Sequence, residues 1–293
     1  MVPLDLVRTF MAIYRAGSIT AAAESIGLSQ PTVTAQLRSL ETALGRPLFD
    51  RLPRGVAATG AAHELARRAA GPLDALESVF GDLTGTTRHG TVRLGGPAEL
   101  LAERALPALA TLVAAGHQVR VTPGLPEDLL DALARGRLDL AITTTRPRRG
   151  GLHVEPLYDE HFALVAAPAW RLPAPATPES LRSIPLIGYA EDAPILRRYW
   201  RTVFAARLTR TPDLVVPDLR AVLRAVVAGA GASVLPTYLT QGPVADGSLC
   251  QLVEPEVPPL NTLYLAARPS SLTRPAVAAV RGQLLRQAPA WTT

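Results

Sequence analysis

The feature that most restricts the fold is a three-residue corner, Gly27-Leu28-Ser29, set between two helix-forming stretches. Gly27 supplies the left-handed conformation that ends one helix, Leu28 is placed to plug the corner, and Ser29 restarts the chain as an N-cap. The stretch before the corner, Ile19 to Ile26, is capped by Ser18 and carries Ala21-Ala22-Ala23, small enough to let a second helix approach closely. The stretch after it has Pro31 in its first turn, where a missing N–H costs little. Val33, Leu37, Leu40 and Leu44 then recur at i, i+4, i+7 and i+11, one face of a helix. Two helices joined in this way form a helix-turn-helix. Ser29, Gln30, Thr32 and Thr34 gather short hydrogen-bonding groups at the start of the second helix, and Gln36 and Arg38 lie further along, off the apolar stripe. Base edges and phosphates are contacted by such groups. Taken alone, the same pattern also describes an ordinary capped surface helix.

Flanking residues extend the pattern. Leu4 to Ala16 reads as a first helix with Val7, Phe10 and Ile13 inward and Arg8 and Arg15 outward, ended by Gly17. Arg46-Pro47 breaks the third helix. Leu48 to Thr59 reads as a two-stranded wing around Arg51-Leu52-Pro53-Arg54-Gly55, and arginine at such a tip suits phosphates or a narrow minor groove. For Arg51 the competing reading is an ion pair within the domain, to Glu41 or Asp50.

The segment Phe10 to Thr59 resembles the N-terminal domain of the LysR-type transcriptional regulators. The residues that carry the resemblance are Phe10, Gly17-Ser18-Ile19-Thr20-Ala21-Ala22-Ala23, Leu28-Ser29-Gln30-Pro31-Thr32-Val33-Thr34 and Gln36-Leu37. They continue through Leu40-Glu41, Leu44-Gly45, Leu48-Phe49, Arg51, Arg54-Gly55-Val56 and Thr59. Ala58 and Ala62 depart from the family, which usually has Leu and Gly there. The resemblance implies a winged helix-turn-helix domain over residues 1–59 that binds double-stranded DNA. Ser29, Gln30, Pro31, Thr32 and Thr34 would read bases or anchor phosphates, and Arg38, Arg51 and Arg54 would add charge contacts.

Residues 60–90 read as a linker helix and a polar hinge. Leu65, Ala69, Leu73, Leu76, Phe80 and Leu83 form an apolar stripe that needs a partner. The resemblance supplies one, the linker helix of a second subunit packed antiparallel; the alternative is the chain's own downstream domain. Pro72 cannot donate to the carbonyl of Arg68, so a kink or break is expected there.

From Thr91 the pattern changes to short strands alternating with helices, which implies a mostly parallel sheet. Strands are expected at Thr91–Gly95, Val119–Val121, Leu138–Thr143 and Phe162–Val165, with helices at Leu100–Ala115, broken near Pro107, and at Pro126–Arg135. Later elements include Leu186–Tyr189, Leu214–Val216, the helix Asp218–Ala228, Ala232–Pro236, Leu263–Ala266 and a last helix, Arg274–Arg286. Gly136-Arg137-Leu138-Asp139-Leu140-Ala141-Ile142 and Val227 to Pro236 resemble the effector domain of the same family. The resemblance implies an α/β domain over residues 91–293, built like a two-lobed periplasmic binding protein. Lobe I would hold about 91–161 and 267–293, and lobe II about 162–266.

In such a domain a ligand lies at strand carboxyl ends and first turns of helices. The corresponding residues are Pro97, Ala98, Glu99, Leu100, Leu125, Pro126, Thr143, Thr144, Tyr189 and Asp218. Many relatives place a hydroxyl in the first of these loops. Here Pro97 and Ala98 offer none and Glu99 adds negative charge, which points to an effector with a cationic group, an amino acid or amine. The competing role for Glu99 is an interaction with the positive end of its own helix. Arg146-Pro147-Arg148-Arg149-Gly150-Gly151 reads as a solvated loop rather than a second DNA patch.

Composition narrows the function classes. The 293 residues carry a formal charge of +5, and all 30 basic residues are arginine, a mild positive balance compatible with nucleic acid. The single cysteine, Cys250, excludes an internal disulfide framework and fits a reducing cytoplasm. No secretory leader and no membrane span is expected, since the most apolar stretch, Ala221 to Pro236, contains Arg224 and two glycines. His63, His89, His117, His153 and His161 show no ligand spacing, and without lysine no phosphate loop ending in that residue is possible. Neither a metal, a cofactor nor catalysis is expected. The reading is a sequence-specific DNA-binding regulator whose arrangement on DNA responds to a small molecule. The resemblance implies self-association as dimer or tetramer, and contact with RNA polymerase. The alternatives are a small-molecule-binding protein, or an architectural DNA binder without effector control.

Overall fold

The computed structural model describes residues 2–52, 55–84, 90–147, 150–172 and 176–292, and within them the side chains of all but residues 75, 77–84 and 292. Three helices open the chain: α1 (Leu4–Ala16), α2 (Ile19–Ile26) and α3 (Gln30–Leu44). A hairpin follows, β1 (Phe49–Arg51) with β2 (Val56–Ala58), then α4 (Gly60–Thr84). The α/β part contains β3 (Val92–Gly96), α5 (Ala98–Leu100), a π-helical turn (Leu101–Ala105), α6 (Leu106–Ala114), β4 (Val119–Pro123), α7 (Pro126–Ala134) and β5 (Leu140–Thr143). It continues with β6 (His153–Ala166), β7 (Ile187–Gly188), α8 (Pro194–Val203), β8 (Leu214–Val215), α9 (Leu219–Val227) and β9 (Ala232–Pro236). It closes with α10 (Thr237–Ala245), β10 (Cys250–Gln251), β11 (Leu260–Ala267) and α11 (Pro275–Gln287).

The chain divides into two compact units. The first holds Met1–Gly96, Thr111–Glu155 and Leu265–Gln283; the second holds Pro97–Ala110, Pro156–Tyr264 and Leu284–Thr293.

In the first unit the helix-turn-helix forms for the reasons legible in its sequence. Ser18 accepts the N–H of Ala21 at 3.4 Å and Ser29 that of Thr32 at 3.3 Å, and Gly27 takes the left-handed conformation at φ +69°. Phe10, Ile13, Ala22, Ala23, Val33, Leu37, Leu40 and Leu48 make one core with Ala62, Ala66, Ala70 and Leu73 of α4. Leu28 departs from expectation: it is 40% exposed rather than plugging the corner, because the alanines of α2 already fill the space between the helices. The wing is antiparallel, with Asp50 opposite Ala57. Its entry is tied to α3 by the Glu41 carboxylate, which accepts the N–H groups of Leu48 at 2.7 Å and Phe49 at 3.3 Å. Glu41 is therefore engaged with backbone, not with Arg51.

Helix α4 is 25 residues long and passes through Pro72 unbroken. It begins on a Thr59 cap, whose hydroxyl accepts the N–H of Ala62 at 3.2 Å. Next to it, β3 pairs in parallel with β4 and with β5, and α7 lays Leu129, Leu130 and Leu133 on Leu138 and Ala141. Gly136 is a position where only glycine fits: its φ is +73°, and a Cβ there would stand 2.4 Å from the Cβ of Ala70.

A buried charge network ties these parts of the first unit together. Asp74 of α4 is 0% exposed and Asp139, just before β5, is 1% exposed. Asp74 meets Arg15 of α1 at 3.0 Å, Arg268 at 2.8 Å and Arg274 at 3.9 Å; Asp139 meets Arg274 at 2.7 Å and Arg268 at 3.7 Å. Asp139 also accepts the N–H of Arg93 at 2.8 Å, and Arg268 donates to the carbonyls of Leu133 and Leu138 at 2.6 Å each. Arg15, expected to point outward, is thus drawn inward by a carboxylate from α4, and its Nε donates to the carbonyl of Gly136 at 3.1 Å.

The second unit is organised on β6, which pairs antiparallel with β9 and β10 and neighbours β11. Its core combines Phe162, Leu164 and Ala166 of β6 with Leu196, Tyr199 and Trp200 of α8, and with Ala232 and Val234 of β9. Strand β6 starts at His153, nine residues earlier than the apolar run at Phe162 indicates, because the runs Pro156-Leu157-Tyr158 and Asp159-Glu160 break the alternation that would mark a strand there. The helix after β3 is interrupted at the π turn rather than at Pro107. Leu106 donates to the carbonyl of Leu101, one residue further back than in an α-helix, just ahead of the proline that cannot donate at all.

Candidate nucleic-acid interface and small-molecule site

The DNA-facing residues proposed from sequence occupy the open end of α3. Ser29, Gln30, Pro31, Thr32 and Arg38 are exposed, and Thr34 is half-buried. Val33, Leu37 and Leu40 hold the opposite face of the same helix in the core. Ser29 has two tasks, since its hydroxyl caps the helix and lies 2.7 Å from the hydroxyl of Thr32. Thr34 donates back to the carbonyl of Gln30 at 2.9 Å, which leaves its hydroxyl oxygen as an acceptor. Gln36 turns the other way: its side-chain oxygen accepts the hydroxyl of Thr9 of α1. Arg51 is exposed on β1 and forms no ion pair among the described residues, while Arg54 lies outside them.

On α4, Leu73 is buried in the core of its own chain, whereas Leu65 and Ala69 are half-buried and Leu76 is exposed. The side chains of Phe80 and Leu83, the hinge residues 85–89, Arg148 and Arg149 lie outside the described set.

The ten residues proposed around a ligand divide between the units. Leu125, Pro126, Thr143 and Thr144 belong to the first. Leu125 is exposed at the start of α7, and Thr143 is buried with its hydroxyl on the carbonyl of Thr145 at 2.9 Å. Pro97, Ala98, Glu99, Leu100, Tyr189 and Asp218 belong to the second. Leu100 is wholly buried, and Pro97 and Ala98 are half-buried. Asp218 caps α9 by accepting the N–H of Arg220 at 2.9 Å and pairs with the Arg220 side chain at 3.2 Å, which holds its carboxyl below the usual range.

Glu99 is the unusual member. Burial raises its carboxyl and the charge of Asp218 raises it further, against a hydrogen bond from its own backbone amide and the pull of Arg220. Its charge also reaches Tyr189, Tyr238 and Glu160. Glu160, on β6, escaped the sequence reading. It is 6% exposed, and burial pushes its carboxyl up to about 7. One signal was available: Tyr158, Glu160 and Phe162 alternate along a strand, so an acid stands on the inward register between two aromatics. Among the described residues no group of His, Cys, Asp and Glu side chains is placed to hold a metal ion, and no helix is long and apolar enough to cross a membrane.

A capped, exposed recognition helix with a wing, joined to an α/β ligand-binding domain, defines a ligand-responsive DNA-binding regulator. Residues 4–63 match the model of the bacterial regulatory helix-turn-helix proteins of the lysR family, and residues 85–289 match that of the LysR substrate binding domain. The chain belongs to the LysR-type transcriptional regulators. It is 45% identical over 298 residues to the HTH-type transcriptional regulator AbaB of Streptomyces antibioticus, covering 98% of this chain and 99% of that one. Its fold is that of a full-length OxyR from Pseudomonas aeruginosa, with a TM-score of 0.78, 21% identity and coverage of 98% and 99%. It is likewise similar to a full-length LysG from Corynebacterium glutamicum with bound effector arginine, with a TM-score of 0.67, 21% identity and 99% coverage of both chains. Regulators of this family bind DNA and small-molecule effectors, form oligomers and are not in general enzymes.

Proposed function

We propose that this chain is a cytoplasmic transcriptional regulator that binds a near-palindromic DNA site as a symmetric oligomer, and that a small molecule in its C-terminal domain alters the arrangement of subunits on that DNA. The observation that carries the reading is the open N-terminal end of α3, where Ser29, Gln30, Pro31 and Thr32 are exposed while Val33, Leu37 and Leu40 hold the opposite face in the core. Residues 1–59 form the DNA-binding domain, 60–90 the linker and hinge, and 91–293 the effector domain with its two lobes. Dimers form through α4 along its apolar sequence stripe, with Leu65, Ala69, Leu76 and Phe80, placing two α3 helices in successive major grooves. Arg38, Arg51 and Arg54 contact phosphates. The effector lies among the residues from Pro97 to Leu100, with Leu125, Pro126, Thr143, Thr144, Tyr189 and Asp218, and shifts the assembly by binding one arrangement more tightly than another. RNA polymerase responds to that change. Glu99 favours an effector with a cationic group, and the arginine bound by LysG is a ligand of that kind.

The test is binding of the purified protein to its own upstream DNA across a salt series. Specific binding is expected to weaken steeply with salt, as phosphate contacts release counterions. Arg51→Ala should lower the logarithmic salt slope by about 1, and Gln30→Ala should cost specific binding roughly tenfold while sparing the non-specific component. Two variants that bind the specific site as well as the natural protein would refute this placement of helix and wing.

A further inference from the structure

The second unit contains a buried acidic group that forms no ion pair among the described residues. Glu160 on β6 faces Tyr238 of α10, Asn261 of β11, Glu99 of α5 and Arg198 of α8. On its own strand, Tyr158 and Asp159 flank it, and Tyr189, after β7, feels its charge. Arg198 acts on it least of these: Glu99 raises the Glu160 carboxyl more than Arg198 lowers it. Arg198 is also engaged elsewhere, donating to the carbonyl of Leu260 and lying 3.5 Å from the side-chain oxygen of Asn261. Arg104, the other nearby guanidinium, lies over the ring of Tyr238, 5.4 Å from its centroid. Asp159 is occupied by the hydroxyl of Thr262 at 2.6 Å.

Tyr238 is the second observation. It is 7% exposed, and its buried hydroxyl lies beside Glu160 and lowers that carboxyl, but among the described residues it makes no hydrogen bond of ordinary geometry. A buried hydroxyl with so poor a partner is held at a cost. Its ring is positioned by Tyr158, 6.4 Å away, and Tyr158 is in turn fixed by a hydrogen bond to the carbonyl of Trp291 at 3.2 Å. The poorly met Tyr238 hydroxyl and the Glu160 carboxyl thus lie side by side on α10 and β6, within reach of the Glu99 charge from α5.

We propose that Glu160, Glu99 and the Tyr238 hydroxyl bind the ammonium or guanidinium group of a small organic cation. This rests on the effector-controlled reading above and goes beyond it by assigning the charge recognition to Glu160 and Tyr238 and by coupling it to a proton. With the site empty, Glu160 carries a proton near neutral pH, because burial and the Glu99 charge disfavour its anion. The incoming cation replaces that proton: the carboxylic acid loses its proton to solvent, and the carboxylate pairs with the ligand. Tyr238 then accepts or donates a hydrogen bond that is unmet in the empty site.

The experiment is calorimetric titration of the full chain with L-arginine, L-lysine and putrescine at pH 6 and pH 8, each in two buffers of different ionisation enthalpy. At least one probe should bind about tenfold more tightly at pH 8 than at pH 6, and should release about one proton per site at pH 6. Glu160→Gln should abolish the pH dependence and weaken binding at pH 8. Tyr238→Phe, which keeps the ring, should weaken binding about fivefold. Thermal melts of both variants check that they fold. The proposal is overturned if none of the three probes binds the natural protein at pH 8, if binding is equal at the two pH values, or if Glu160→Gln keeps the dependence. Operator binding in the same samples separates this from the broader reading. If a neutral or anionic compound changes operator binding while no cation binds, the site fails and the regulator stands. If the natural protein shows no specific DNA binding, the regulator reading itself fails.

Discussion

The first unit buries a pair of acids, the second sets a buried acid in reach of a half-buried one, and the two treat them in opposite ways. In the first, Asp74 and Asp139 are met by Arg15, Arg268 and Arg274 at 2.7–3.9 Å, and Arg268 also donates to the carbonyls of Leu133 and Leu138. In the second, the Glu99 charge raises the proton affinity of Glu160, Arg198 is engaged with the carbonyl of Leu260, and Arg104 lies over the ring of Tyr238. A buried charge with its partners is a structural joint. A buried charge without them is held at a cost that folding alone does not explain, and such costs gather at functional sites. The first pair joins the DNA-binding helices to the sheet beside them; the second is where a ligand has something to neutralise.

The sharpest way to break the comparison is Asp74→Ala. It leaves Arg15, Arg268 and Arg274 short of a counter-ion and should destabilise the protein by about 3–5 kcal/mol, read from urea unfolding of the first unit's signal. A loss below about 1 kcal/mol would show the joint to be ornamental.

Glu160→Gln should act with the opposite sign. The folded carboxyl sits at about 7, above its unfolded range, so the folded state holds the proton more tightly. The natural protein is therefore most stable below the unfolded pKa, near pH 4, and loses stability as pH rises to about 7. The glutamine variant should match it at pH 4 and exceed it by about 3 kcal/mol at pH 8, measured by denaturant titration at both pH values. A variant equally destabilised at both would mean that Glu160 is satisfied after all.

The smallest effect sharpens the contrast within the second unit. Tyr238→Phe removes a hydroxyl that lacks a partner in the empty site, so the empty protein should be unchanged or gain up to about 1 kcal/mol in the melt, although a buried group is deleted. A loss of more than about 1 kcal/mol would place that hydroxyl in a structural bond.

Much of the DNA-binding half was legible in the chain itself. Gly17, Ser18, Gly27 and Ser29 are local punctuation: each acts on backbone within four residues, so the end of α1, the limits of α2 and the N-cap of α3 follow without knowledge of the fold. The α/β half yielded most of its elements by periodicity, but β6 was read nine residues short because Pro156-Leu157-Tyr158 and Asp159-Glu160 interrupt its period of two. Arg15 was read as a surface residue since its partner, Asp74, is 59 positions away.

What sequence alone determined was therefore whatever is decided within a turn or two: caps, corners, the apolar stripe of α3, and the family to which the ordered motif belongs. What only tertiary structure decided was which charges meet. Asp74 and Glu160 are both acids in amphipathic segments, and nothing local separates the one that finds three guanidiniums from the one that finds a second carboxylate. Electrostatic environment is a sum over elements far apart in the chain, and it exists only once they pack.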